Sequence, residues 1–187
     1  MDVREVRKCY GLTQRQLAEV LGVAQSTVAS WERDHRVPQG VGVLAILNKM
    51  EEYRSFPCEV IPGSLRRPPV EFPLERWTPI VRQDAVVRLP VALHWSPIQL
   101  KEFDLANSWH REFVYKQVLE CGAVRDICFW IDPDLLLECY EEIHIATYAK
   151  EGFLRFIERL KESVTVCAIS AGIFAGHGDP LKRTLGC

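Results

Sequence analysis

Apolar side chains recur at helical spacing in two short stretches near the start of the chain, with a glycine between them. The first stretch predicts a helix that ends at Gly22, because glycine enters the left-handed conformation of a helix end without a steric penalty. The second stretch predicts another helix, whose buried stripe contains Val28 and Trp31. Residues 12–32 therefore predict two helices joined by a tight turn. The apolar face of the first helix consists of Leu17, Ala18, Val20 and Leu21.

Polar residues mark the start of each predicted helix. Thr13 and Gln16 have the spacing of a capping box, in which each side chain accepts a hydrogen bond from the other residue's backbone N–H. Gln25, Ser26 and Thr27 cluster at the beginning of the second helix. Two interpretations are open: a helical corner that closes a core, or a turn that directs the second helix into the major groove of DNA. We favour the second, because a simple corner would not need so many hydrogen-bonding side chains.

Residues 1–54 resemble the helix-turn-helix domain of Cro/C1-type (XRE family) transcriptional regulators. The resemblance implies a lambda-repressor-like fold whose second motif helix lies in the major groove with its N-terminal residues against base edges. Two residues depart from the family pattern. Ala24 stands where many members have a capping Ser or Thr, and Asp34, where many have Gly, adds negative charge near the expected phosphate contacts. The matching positions are Leu12-Thr13-Gln14, Leu17-Ala18, Leu21-Gly22-Val23, Ser26-Thr27-Val28, Trp31-Glu32 and Arg36-Val37-Pro38.

The same resemblance implies roles in DNA binding. Gln25 is the expected base reader, because its amide can pair with N6 and N7 of adenine. Arg15, Arg33 and Arg36 are expected to contact phosphates, and the alternative for each is an ordinary solvated surface charge. Gln14 is expected to hold a phosphate or to brace Gln25. The full predicted set of DNA-binding residues is Gln14, Arg15, Gln25, Ser26, Thr27, Ser30, Arg33 and Arg36.

The composition is that of a globular protein in a reducing compartment. Of 187 residues, 48% are hydrophobic and 26% are charged, and no apolar run reaches the roughly 18 residues of a membrane span. The charged start, MDVREVRKCYG, lacks the apolar core of a secretory signal. The seven cysteines form no C-x-x-C pair, which favours reduced thiols over disulfides or zinc fingers. We therefore expect a cytoplasmic location and no membrane contact.

The net charge of −2 hides an asymmetry along the chain. Residues 1–54 contain eight basic and seven acidic residues, whereas residues 91–163 contain eight basic and thirteen acidic ones. With so little excess basic charge, DNA binding has to rely on a local patch and on a homodimer. The acidic part is expected to contact a second copy of the chain or another protein.

The remainder of the chain is predicted to form a linker, a second domain and a tail. Because most of the predicted elements are helices, we expect a mainly α fold class. Seven of the eleven prolines lie between residues 57 and 90, which predicts a semi-rigid linker over 55–78 that lets the two sides fold separately. Residues 79–163 predict a small, mainly helical α+β domain, and residues 164–187 a flexible tail. Within the domain, one or two short strands in AVVRLPVALHW precede helical patterns in 108–122, 123–131 and 147–164, and Pro133 in 132–143 marks the start of a helix or turn.

The predicted second domain resembles a domain that follows such helix-turn-helices in bacterial antitoxin-like regulators paired with nucleotidyltransferase-like toxins. The resemblance implies a partner-binding or dimerisation domain. Residues 132–142 form a dense acidic stretch with two open interpretations, a solvated face and a surface that docks a protein.

No catalytic or metal-binding pattern is found in the sequence. The histidines are isolated and lack the spacing of an H-E-x-x-H motif. Asp104 with His110, or Cys121 with Cys128, could approach each other, but neither pair has the spacing of metal ligands. We therefore expect no enzymatic activity, no cofactor and no metal.

Three functions remain as hypotheses. The first is a sequence-specific transcriptional regulator, an autoregulating repressor that binds double-stranded DNA as a homodimer. The second is an antitoxin-like protein that neutralises a toxin through its C-terminal domain. The third is an enzyme that carries a helix-turn-helix as an address, which would require a nucleophile or an acid–base pair that the sequence does not show.

Overall fold

The computed structural model describes residues 2–34, 36, 38–65, 67–94 and 102–175, with side chains as far as residue 164. This part of the chain contains eight helices and two antiparallel strand pairs, so the predicted mainly α fold class is confirmed. The elements are α1 (Val3–Cys9), α2 (Gln14–Leu21), α3 (Gln25–Asp34), α4 (Val41–Tyr53), β1 (Cys58–Ile61), β2 (Val70–Pro73), β3 (Val86–Val87), β4 (Phe103–Asp104), α5 (Ser108–Cys121), α6 (Val124–Trp130), α7 (Pro133–Cys139) and α8 (Lys150–Ala175).

Local capping signals determine where the N-terminal helices begin and end. The Asp2 carboxylate accepts hydrogen bonds from two backbone N–H groups in the first turn of α1. The predicted capping box of Thr13 and Gln16 is present at the start of α2, and the helix ends at Gly22 with φ 66°. These bonds satisfy backbone groups that a helix end leaves unpaired.

A β-hairpin occupies the predicted linker, and this corrects the interpretation of residues 55–78 as an extended connection. β1 pairs with β2 in a register that places Cys58 opposite Pro73. Phe72 is fully buried and stacks on Phe156 of α8, with 5.2 Å between the ring centroids. The prolines are compatible with the hairpin because they lie at strand ends or in the connection, where the ladder does not need their N–H groups.

α6 lies at the centre of the fold, where it packs against α4, β2 and α5. Every residue of α6 except Arg125 is buried. α7 begins with Pro133, and the carboxylate of Asp132 accepts hydrogen bonds from the next two free backbone N–H groups. The helices predicted in 108–122 and 123–131 are therefore present as α5 and α6, and the helix or turn predicted to start at Pro133 is the helix α7. Fully buried side chains of α5 are Val114, Tyr115, Val118 and Leu119.

One hydrophobic core joins the four N-terminal helices to the rest of the chain, which corrects the prediction that the two sides fold separately. Tyr10 is 2% exposed, its ring centroid lies 4.9 Å from that of Phe129 in α6, and its hydroxyl donates to the Met50 carbonyl. Arg125 of α6 donates to the Cys9 carbonyl at 3.1 Å. α6 therefore completes a core that the N-terminal helices leave open. The division of the chain into domains stays a prediction.

The last described helix is longer than its sequence pattern indicates. Residues 164–175, predicted to belong to a flexible tail, continue α8 as helix, while residues 176–187 lie outside the described residues. Among the helices that the structure describes, none has the length and apolar character needed to cross a membrane.

Candidate nucleic-acid interface

The packing of α2 against α3 positions the candidate interface. Leu17, Ala18 and Leu21 of α2 are buried, as is Val28 of α3. Ala18 is small and its carbonyl accepts a hydrogen bond from the Val23 backbone N–H at 3.0 Å, which closes the turn between the helices. Because one face of α3 is held in this way, its opposite face is directed to solvent.

The first turn of α3 presents polar side chains on that free face. Gln25 and Ser26 are exposed, and Thr27 is half-buried. Val28, the next residue, has no exposed surface. The structure therefore brings three of the predicted DNA-binding residues together at the N-terminal end of a helix that is anchored by its other side.

The buried carboxylate of Glu32 links α3 to α1 and α2. Glu32 is 3% exposed, and its two carboxylate oxygens accept hydrogen bonds from Arg7 at 2.6 and 3.0 Å. Gln14 donates its amide N–H to the same carboxylate at 3.0 Å. The bonds from Arg7 are the main reason that the pKa of Glu32 lies below its ordinary value. Gln14 thus braces Glu32, whereas the prediction from sequence was that it holds a phosphate or braces Gln25.

At the end of α3, the carboxylate of Asp34 contacts three of the predicted DNA-binding residues. Its carboxylate accepts hydrogen bonds from Arg33 at 3.0 Å and from the Ser30 hydroxyl at 3.1 Å. Arg36 lies 3.5 Å from the same carboxylate. The bonds from Arg33, followed by the one from Ser30, lower the pKa of Asp34. In the free protein the positive charges of both arginines are therefore neutralised locally.

The remaining predicted arginine also has an acidic neighbour. Arg15 of α2 donates to Glu19, one turn further along the helix, at 3.0 Å, and both side chains are largely exposed. Exposed pairs of this kind contribute little to stability. They do, however, reduce the positive potential that a phosphate would meet at this surface.

Comparison with known families determines what this arrangement of helices is. Residues 3–49, which run from α1 into α4, match the family described as Helix-turn-helix. The N-terminal domain is a Cro/C1-type helix-turn-helix. Comparison with curated proteins and with solved structures gives no match. The resemblance of the C-terminal domain to antitoxin-like regulators therefore stays a prediction.

The helix-turn-helix domain depends on one residue that the sequence patterns did not single out. Arg7 of α1 lies 25 positions before Glu32 of α3, and it also donates to the Leu12 carbonyl at 2.7 Å. Neither residue stands in a local motif with the other. Only the packing of α1 on α3 reveals that a charged pair supports α3.

Outside the helix-turn-helix domain, several of the other sequence candidates have structural partners. The Asp104 backbone N–H donates to His110 Nδ1 at 3.1 Å, so this pair meets through the backbone. In the acidic stretch Asp132 caps α7 and Asp134 pairs with Arg76. Within the described ranges, no three His, Cys, Asp or Glu side chains are grouped so that they could hold a metal ion.

Proposed function

We propose that the chain is a sequence-specific transcriptional regulator, an autoregulating repressor that inserts α3 into the major groove. The observation that carries the proposal is the first turn of α3, where Gln25 and Ser26 are exposed while Val28 and Glu32 anchor the helix. Such a turn can meet base edges without loss of packing. We propose that the chain has no catalytic activity and that it binds its operator DNA in the cytoplasm.

Footprinting on the DNA upstream of the protein's own gene tests autoregulation directly. We expect protection of an inverted repeat whose half-site centres are about one helical turn, on the order of 10 bp, or a multiple of it apart. Protection of a single asymmetric half-site by a monomer would contradict the proposal.

The assignment of Gln25 as base reader has its own test. Gln25→Ala should weaken operator binding by about 1–3 kcal/mol, roughly 5- to 150-fold, and relax the preference at one base pair, because it removes a bidentate contact. Fluorescence anisotropy on the operator and on its single-base variants measures both effects. Gln117→Ala is the matched control, since Gln117 is half-buried on α5 outside the helix-turn-helix. Unchanged affinity and preference in Gln25→Ala would refute the assignment.

A homodimer is part of the proposal, because one recognition helix reads only a few base pairs. The extension of α8 supports a contact through its C-terminal part. Residues 164–175 are helical, contain no charged residue and have Thr165 and Ser170 as their polar side chains. A helix that is hydrophobic nearly all round is usually covered. Sedimentation of a chain that ends at residue 163 should show a monomer with lower operator affinity than the full chain. A truncated chain that is still dimeric would exclude this contact.

An antitoxin-like role is the second candidate, and it is supported by exposed acidic side chains in the last turn of α7 and directly after it. Glu138, Glu141 and Glu142 are exposed, and Glu141 accepts a hydrogen bond from the neighbouring Tyr140 hydroxyl at 2.9 Å. Asp132, in contrast, caps α7, and Asp134 pairs with Arg76. Co-expression with the product of the neighbouring gene tests this role. Rescue of growth by the intact chain, lost when these three residues are changed to Gln, would favour neutralisation of a toxin. Growth that does not depend on the chain would leave only the DNA-binding role.

A further inference from the structure

A groove of about 140 Å³ lies between α5 and the turn that follows α7, and it is open to solvent. The residues of α5 that line it are spaced three and four positions apart, so they share one face of the helix. The full lining consists of Trp109, Glu112, Phe113, Lys116, Glu142 and Ile143. The groove therefore lies outside the helix-turn-helix domain and within the acidic part of the chain, residues 91–163.

Trp109 provides a fixed aromatic surface in this groove. It is 58% exposed, whereas tryptophan is highly buried on average. Its ring stacks on that of Phe113, with 6.4 Å between the centroids, and Phe113 stacks in turn on the buried Phe103 at 5.2 Å. These contacts hold the indole in place while more than half of the residue stays accessible. Tryptophan side chains of this kind anchor protein interfaces, and the face of an indole attracts cations.

The charged side chains of the groove are unpaired among the residues that the structure describes. The side chains of Glu112 and Glu142 accept no hydrogen bond, and Lys116, one turn after Glu112, forms an ion pair with neither of them. Two carboxylates against one ammonium group leave the lining negative, and the surrounding part of the chain is acidic as well. A negative groove beside an indole favours a cationic occupant.

We propose that this groove binds an arginine side chain of a protein partner. The size is appropriate, because a cavity of about 150 Å³ holds benzene and a guanidinium group is planar with fewer non-hydrogen atoms than benzene. Arginine fits better than lysine, since its guanidinium can stack on the Trp109 indole while its N–H groups pair with a carboxylate. The identification of the partner as a toxin rests on the proposed antitoxin-like role, whereas the arginine site itself does not.

N-acetyl-arginine amide tests the site, and N-acetyl-citrulline amide is its uncharged counterpart of nearly the same shape. In ¹H–¹⁵N spectra of the full chain, the Trp109 indole signal is identified by its loss in Trp109→Phe. The arginine compound should shift this signal saturably, with a Kd in the millimolar range. It should bind about threefold to tenfold more tightly than the citrulline compound, as expected for a cation at an exposed indole and carboxylate. The absence of a saturable shift, or equal affinities for the two compounds, would overturn the proposal.

Substitutions of the charged residues should act in opposite directions. Glu142→Gln should weaken binding of the arginine compound roughly 1.5- to 5-fold, whereas Lys116→Gln should strengthen it by a similar factor, because it removes a like charge. Glu141→Gln is the matched control, since Glu141 is exposed in the same turn and lines a neighbouring groove. This control should leave the affinity nearly unchanged. Effects of the opposite sign, or equal effects of Glu141→Gln and Glu142→Gln, would also overturn the proposal.

The docking of a protein is tested with the product of the neighbouring gene and the full chain. Trp109→Ala should weaken this complex at least about tenfold, as is typical of a tryptophan that anchors an interface. Val60→Ala, a truncation on β1 at a residue that is 53% exposed, should leave it unchanged. An unweakened complex of Trp109→Ala would overturn the docking role, as would binding of free arginine at least about tenfold more tightly than of its blocked amide. A product that does not bind the chain at all would refute the antitoxin-like role, and the spectra would then decide about the arginine site alone.

Discussion

The carboxylate of Asp34 holds Arg33 and Arg36 on the surface that we expect to face DNA. Asp34→Asn removes the negative charge with little change in size, so both guanidinium groups become available to phosphates. Because Asp34 is on the surface and its pairs are exposed, the substitution should leave the stability of the fold nearly unchanged. Its effect should instead appear in DNA binding.

The expected magnitude follows from the release of counterions. Each phosphate that a protein neutralises on duplex DNA adds about 0.9 to the slope of log affinity against log salt concentration. Two released arginines should therefore steepen the slope by up to about two per protomer. Each new contact also makes the loss of affinity between 50 and 200 mM salt roughly 3.5-fold larger. At low salt, Asp34→Asn should bind any DNA sequence more tightly than the original chain.

Anisotropy titrations with operator and with unrelated DNA across this salt range measure the effect. Asp84→Asn is a matched control, because Asp84 holds Arg82 by similar hydrogen bonds at 2.6 and 3.0 Å, away from α3. The control should leave the slope unchanged. An unchanged slope in Asp34→Asn would show that Arg33 and Arg36 do not reach phosphates, and would refute the reasoning.

Three further predictions concern the fold that supports the interface. Glu32→Ala should destabilise the protein by up to roughly 3–5 kcal/mol in chemical denaturation, because it leaves the half-buried Arg7 guanidinium without its carboxylate partner. The pKa of Glu32 is held below its ordinary value of 4.5, so the contribution of this carboxylate is fully present above that pH and is lost as pH falls through the lowered pKa. Glu32→Gln should therefore lose less stability on acidification than the original chain. Phe72→Ala should cost about 3–5 kcal/mol if the hairpin belongs to the core, and a cost near zero would restore the linker interpretation. A fragment of residues 1–56 should lack a cooperative thermal transition, because it loses the contact between Tyr10 and Phe129; a sharp transition would contradict the shared core.

The helix-turn-helix could be recognised from sequence because its signals are local. The capping box of Thr13 and Gln16 and the left-handed Gly22 each depend on residues within one or two turns of helix. The exposed first turn of α3 could also be predicted locally, because the spacing of Val28 from the other apolar residues shows which face of the helix is buried. Of the predicted DNA-binding residues, the structure places all eight on or next to α2 and α3, but their contacts with DNA stay predictions.

The remaining features required tertiary structure, because they depend on residues that are distant in the chain. Proline density predicted a linker, yet the hairpin forms because Phe72 finds Phe156, 84 positions later, in the core. The pairing of Arg7 with Glu32 likewise depends on how α1 crosses α3. Local sequence thus determined where the helices of the DNA-binding motif begin and end. Only tertiary packing decided that α6 completes their core, because burial of an apolar face depends on which distant surface comes to cover it.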